Sequence, residues 1–178
     1  MALRIAVQMD PLESVNIDAD STFAMMLEAQ RRGHSLVEYH PDALTYSNGA
    51  IRARVRPVTV QRDQDNHAQF SPVRSIELAH ESDVVLMRQD PPFDMQYIAA
   101  THLLESIHGV GNNKTFCVNR PGHVRNAPEK IFVTEFAEFM PPTMISRNVE
   151  DITAFRDEHR DIIVKPLFGN GGAGVFHL

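Results

Sequence analysis

The sequence predicts an α/β protein, a largely parallel sheet with helices on both faces, and three observations carry that expectation. Short apolar runs at residues 4–9, 35–39, 84–87 and 115–118 have the length of buried strands. Stretches with apolar residues at helical spacing alternate with them, and buried strands separated by helices assemble into sheets covered on both faces. Three of the runs lead into polar residues, Asp10, Arg88 and Asn119, at the strand ends where open α/β sheets collect their ligands.

The elements follow in order. The run 4–9 stops at Asp10-Pro11, because proline cannot extend a buried strand. Phe23, Met26, Leu27 and Gln30 then recur at helical spacing, with Asp20 or Ser21 as N-cap and Gly33 placed to end the helix. A second strand covers 35–39. Residues 44–56 hold Asn48-Gly49 between extended segments, the strongest short-range hairpin signal in the chain. The polar stretch 62–66 reads as an exposed connection. A strand at 84–87, an amphipathic helix at 95–107 and a strand at 115–118 complete a first domain, expected to span 1–122. A second domain, 123–178, is expected to start with a helix from about Glu129 and to continue with a strand near Thr143. A helix over 148–159 and a strand over 162–165 follow, leading into a glycine-rich turn.

Bulk properties exclude several function classes. A length of 178 residues suits one domain plus part of another. With 43% hydrophobic and 22% charged residues and no apolar run of membrane-spanning length, the composition predicts a soluble cytoplasmic protein with no membrane partner. The N-terminal MALRIAVQMD runs straight into a strand pattern and carries no export signal. Seventeen Lys and Arg against 23 Asp and Glu give a net charge of −6, which opposes binding to nucleic acid. Cys117, the single cysteine, has no internal disulfide partner, and its neighbours Phe116 and Val118 mark it as a buried structural thiol rather than a nucleophile. The nine histidines form no metal-binding pattern, and no serine stands in a G-x-S-x-G setting.

The most informative stretch is Lys165-Pro166-Leu167-Phe168-Gly169-Asn170-Gly171-Gly172-Ala173-Gly174. Glycine serves where backbone must approach a ligand closely, so a turn of this kind can wrap phosphates with N–H groups while the lysine supplies positive charge. A loose hairpin turn with a surface lysine is the plain alternative. The pattern is neither a P-loop, since no Lys-Ser or Lys-Thr follows the glycines, nor a dinucleotide-binding G-x-G-x-x-G turn.

That turn, after a strand-helix domain and a lysine-bearing helix, resembles the ATP-grasp superfamily. More narrowly, Met9-Asp10-Pro11, Asn16-Ile17, Asp20-Ser21-Thr22-Phe23-Ala24-Met25 and Glu28-Ala29-Gln30-Arg31-Arg32-Gly33 resemble bacterial-type glutathione synthetase. So do Met87-Arg88-Gln89-Asp90-Pro91-Pro92-Phe93-Asp94, the most specific block, Asn119-Arg120-Pro121 and Glu129-Lys130. The resemblance implies a pre-ATP-grasp domain followed by the start of an ATP-grasp domain. It implies a ligase that joins γ-glutamylcysteine to glycine through an acyl phosphate, using ATP with Mg²⁺ or Mn²⁺, in a homo-oligomer. It implies ATP contacts at Lys130, Lys165, Gly169, Gly171 and Gly172, and substrate contacts at Arg88, Asp10, Asn16, Ser21 and Asn119. Metal ligands are expected beyond residue 178, none within the chain, and the 178-residue chain alone is expected to be inactive. Phe168 departs from the small or polar residue expected near phosphates.

Plainer readings stand beside these roles. Lys130 also suits a solvated helix face, Arg88 a salt bridge to Asp90 or Asp94, and Asp20 and Ser21 suit capping. An X-Pro bond at Pro91-Pro92 is cis or, on the better prior, trans. Two other functions are also compatible with the chain: an ATP-grasp ligase for another acid and amine, of the D-alanine or peptide-tailing type, and a non-catalytic binding or assembly module.

Overall fold

The structure is a computed structural model, and it describes residues 1–169 and 171–178, so Asn170 of the glycine-rich turn lies outside the described residues. These residues fall into two compact units, Met1–Asp90 with Met95–Arg125 and Pro91–Asp94 with Asn126–Leu178.

In the first unit, β1 (Arg4–Gln8) leads to α1 (Ser21–Arg31) and β2 (Ser35–Tyr39). Next come β3 (Leu44–Ser47), β4 (Ala50–Val60), β5 (Ala68–Phe70), β6 (Arg74–Glu77) and the single turn α2 (Leu78–Glu81). The unit closes with β7 (Val84–Met87), α3 (Met95–Ile107), β8 (Phe116–Val118) and α4 (Pro121–Asn126). The sheet runs β3-β4-β2-β1-β7-β8, with β5 and β6 also paired to β4. The strands β2, β1, β7 and β8 are mutually parallel, as the alternation predicts. The other half is antiparallel, so the sheet is mixed rather than purely parallel. The reason is the connection: Asn48 (φ 50°) and Gly49 (φ 83°) both take positive φ, and a two-residue turn of that kind can only return the chain antiparallel. Once returned, β4 is eleven residues long and pairs with four neighbours, including β5 and β6, which the sequence pattern does not reveal.

The two faces of the sheet bury separate cores. Ile5 and Val7 of β1 point to the face covered by α1, where they join Phe23, Met26, Leu36, Val58 and Val60. Ala6 between them points to the face of α3, with Tyr39, Val85, Met87, Leu104 and Cys117. Along β4 the buried residues are Ile51, Ala53 and Val55, then Val58 and Val60. Odd positions face the core of α3 and even positions the core of α1, so unbroken alternation moves the strand's burial from one core to the other at Arg56-Pro57. Helix α1 starts where Asp20 Oδ1 accepts the Phe23 N–H at 2.6 Å, which decides the cap in favour of Asp20.

In the second unit, α5 (Glu129–Phe132) runs into a 3-10 turn at Val133–Phe139, followed by α6 (Val149–His159), capped by Asn148. The strands β9 (Ile163–Val164) and β10 (Phe176–His177) pair antiparallel around the glycine-rich turn. The expected strand near Thr143 does not form. Pro141 and Pro142 remove two adjacent N–H donors, and Thr143 Oγ1 instead donates to the Pro141 carbonyl at 2.8 Å. The peptide bonds before Pro91 and Pro92 are trans, and the Val118–Asn119 bond is cis. No helix among the described residues is long and apolar enough to cross a membrane.

Candidate functional site

Parallel pairing of β1, β7 and β8 brings their carboxyl ends to one edge of the sheet, and Asp10, Arg88 and Asn119 follow those ends. Arg88 is exposed and turns toward α1: its Nε donates to Thr22 Oγ1 at 3.0 Å and its NH2 to Ser21 Oγ at 2.8 Å. Two hydroxyls on the first turn of a helix therefore fix the plane of the guanidinium fork. Asp10 Oδ2 accepts the Asp90 N–H at 2.7 Å and ties the segment after β7 to the segment after β1. Asn16 is exposed in the loop before α1, and its Oδ1 accepts the Asp18 N–H at 3.1 Å. Ser21, expected on that loop, is the first residue of α1, because Asp20 takes the cap. Asn119 is exposed beyond β8.

Sequence reasoning passed over the partners beneath these residues. Thr22 is buried and receives Arg88; a hydroxyl in the first helical turn was the available signal. Gln8 and Gln89 are buried and bonded to each other at 2.6 Å, and nothing in the apolar run 4–9 distinguished Gln8 from a surface residue. Tyr97 is partly buried beside this edge, and desolvation raises its phenol pKa.

In the second unit, Lys130 is half-buried on α5, and its ammonium donates to the Gly169 carbonyl. Lys165 is exposed directly after β9, at the start of the turn. Gly171 and Gly172 take φ of 60° and 79°, with open space where a Cβ would stand. Gly174 has φ 68°, and a Cβ there would lie 2.9 Å from Pro166 Cγ, so this position requires glycine. Phe168 is exposed on the same turn. Among the described residues no group of three or more His, Cys, Asp or Glu could hold a metal ion.

Family comparison decides what kind of protein carries this arrangement. Residues 3–125 match the N-terminal domain of prokaryotic glutathione synthetase, and residues 129–178 match its ATP-grasp domain. The chain belongs to the prokaryotic glutathione synthetase family. Among curated glutathione synthetases, that of Brucella melitensis is 55% identical over 179 residues and that of Mesorhizobium japonicum 53% over 178. Each alignment covers the whole of this chain and 55% of the relative. The Escherichia coli O127:H6 synthetase is 42% identical over 176 residues, covering 99% of this chain and 54% of its own. The chain thus spans about half the length of the curated glutathione synthetases it matches.

Proposed function

We propose that this chain is the peptide-binding and nucleotide-facing part of an ATP-dependent ligase that joins γ-glutamylcysteine to glycine. In this reading residues 1–122 receive the peptide and residues 123–178 begin the ATP-grasp domain. The observation that carries it is the Lys130 ammonium against Gly169, which supports a cation held on a glycine turn able to take polyphosphate. Lys130 and Lys165 supply positive charge to phosphate oxygens, and the N–H groups around Gly169, Gly171 and Gly172 line the path of the phosphates. Arg88, oriented by Ser21 and Thr22, takes the peptide carboxylate in a forked geometry, with Asp10, Asn16, Ser21 and Asn119 around it.

The carboxylate oxygen of γ-glutamylcysteine attacks the γ-phosphorus of ATP; its O–P bond forms as the bond to ADP breaks. The glycine amine then attacks the acyl carbon, gives up a proton and expels phosphate. Mg²⁺ or Mn²⁺ neutralises phosphate charge in such transfers, and no ligand for it is assigned within the described residues. The protein's share is positioning and fixed charge. The same reading makes the protein a cytoplasmic homo-oligomer. The net charge of −6 argues against nucleic acid as a partner.

The test is ADP release by the product of the complete gene, with γ-glutamylcysteine and glycine supplied together and each omitted in turn. ADP that appears with glutathione only when both are present supports the ligase. No ADP above background, or ADP with a different acid–amine pair only, refutes these substrates.

A further inference from the structure

The antiparallel ribbon of β4 and β5, with the polar stretch 61–67 that joins the two strands, makes contacts that a plain connection has no need of. From this ribbon, Arg56 reaches Glu13, Arg62 and Gln64 reach Asp18, and His67 reaches the Leu12 carbonyl. All of these targets lie in the loop between β1 and α1, the loop that carries Asn16. Arg56 NH1 and NH2 donate to the two Glu13 oxygens at 2.5 and 2.9 Å, its Nε donates to buried Glu38, and its guanidinium carbon sits 3.9 Å from the centre of the Phe70 ring. The Asp18 carboxylate receives Arg62 NH1 at 3.3 Å and Gln64 Nε2 at 2.5 Å. His67 Nε2 is 2.9 Å from Leu12 O, and its ring stands edge-on to Phe23 at 5.9 Å. From below, Leu12 and Ile17 are buried in the core with Val58 and Val60. The loop is thereby held at residues 12, 13, 17 and 18, while Asn16 is left exposed between the fixed points.

We propose that the β4–β5 ribbon is a clamp that shapes the β1–α1 loop for its peptide substrate, and that Arg56 is the positioning residue at its centre. The clamp stands on the contacts alone; the substrate it serves rests on the ligase reading above. The contacts are unequal. Arg62 and Asp18 are 58% and 62% exposed, and ion pairs in that setting contribute little. Arg56 is 30% exposed and bridges Glu13 to Glu38, which is 5% exposed, so one guanidinium couples the loop to the sheet. Lysine could not do the same, because a single ammonium lacks the fork that spans two carboxylates.

Removing Arg56 strands the buried Glu38 and endangers folding, so the primary variant is Glu13→Ala, which frees the loop and leaves the Arg56–Glu38 pair in place. Arg56→Lys and Arg62→Ala/Gln64→Ala accompany it, all in the product of the complete gene. Amide hydrogen exchange over residues 12–18 reads the clamp, and the separate KM values for γ-glutamylcysteine and ATP read its purpose. Glu13→Ala is expected to speed exchange in this loop about tenfold and to raise the dipeptide KM about tenfold, with the KM for ATP within about twofold. Arg56→Lys should follow in the same direction, and Arg62→Ala/Gln64→Ala should change either value by less than about threefold. Unchanged exchange in Glu13→Ala overturns the clamp. Faster exchange with an unchanged dipeptide KM, or equal rises in both KM values, overturns the positioning role. A wild-type protein with no ligase activity refutes the ligase reading and the substrate half of this proposal, while exchange still decides the clamp.

Discussion

Replacing Cys117 by alanine should change how stability responds to alkaline pH. The thiol is 1% exposed, its Sγ lies 3.8 Å from the Leu104 carbonyl, and burial raises its pKa from 9.0 to about 12. A raised folded-state value means that the folded protein keeps a proton the unfolded chain has lost. The stabilisation is therefore complete below pH 9.0 and is lost as pH rises toward about 12. The slope for one proton is about 1.4 kcal/mol per pH unit, so roughly 2 kcal/mol should vanish between pH 8 and about 10.5. Other groups titrate in that range, including Tyr39, whose phenol is pushed up by its own burial. The quantity to follow is thus the difference between wild type and Cys117→Ala, measured by urea unfolding with circular dichroism at several pH values. At pH 8 the alanine variant should be less stable by about 1–2 kcal/mol for the lost sulfur contacts, and by about pH 10.5 the gap should close or invert. A gap that stays constant within about 0.5 kcal/mol across the range would refute the argument. Iodoacetamide offers a companion check: with a thiolate fraction of about one in ten thousand at pH 8, the folded protein should resist alkylation that urea permits.

Two further outcomes are expected. Arg88→Lys keeps the charge but loses the fork oriented by Ser21 and Thr22, so on the proposed ligase reading the KM for γ-glutamylcysteine should rise about 10- to 100-fold with little change for ATP; steady-state kinetics on the complete gene product would show it. Gly174→Ala must hold alanine at φ 68° with its Cβ against Pro166, costing at least about 1–2 kcal/mol locally, whereas Gly171→Ala meets only the φ penalty; faster amide exchange at Val164 and Phe176 in the first variant than in the second would register the difference.

Local rules made much of the fold legible in the residue order. The strand 35–39, the helix 95–107 and the Asn48-Gly49 turn each depend on residues within a few positions, so periodicity and turn chemistry suffice to find them. The short strands β5 and β6 were not legible: neither carries a clear alternation, and both exist because the long β4 offers them a partner. The strand near Thr143 failed for the converse reason, since an apolar neighbourhood could not replace the donors absent at Pro141 and Pro142.

The candidate site divides in the same way. By itself the sequence determined which residues stand at strand ends, that glycines crowd one turn, and which family those blocks resemble, because each is a property of contiguous residues. Only the tertiary structure decided that Arg88 rests on Ser21 and Thr22, that Lys130 meets Gly169, and that Arg56 ties Glu13 to Glu38. Those pairs are 18 to 67 residues apart. Contacts at that separation are set by which strands pair and which face each side chain takes. The change along β4 from burying its odd positions to burying its even ones at Arg56-Pro57 depends on what covers each face and leaves no mark in composition.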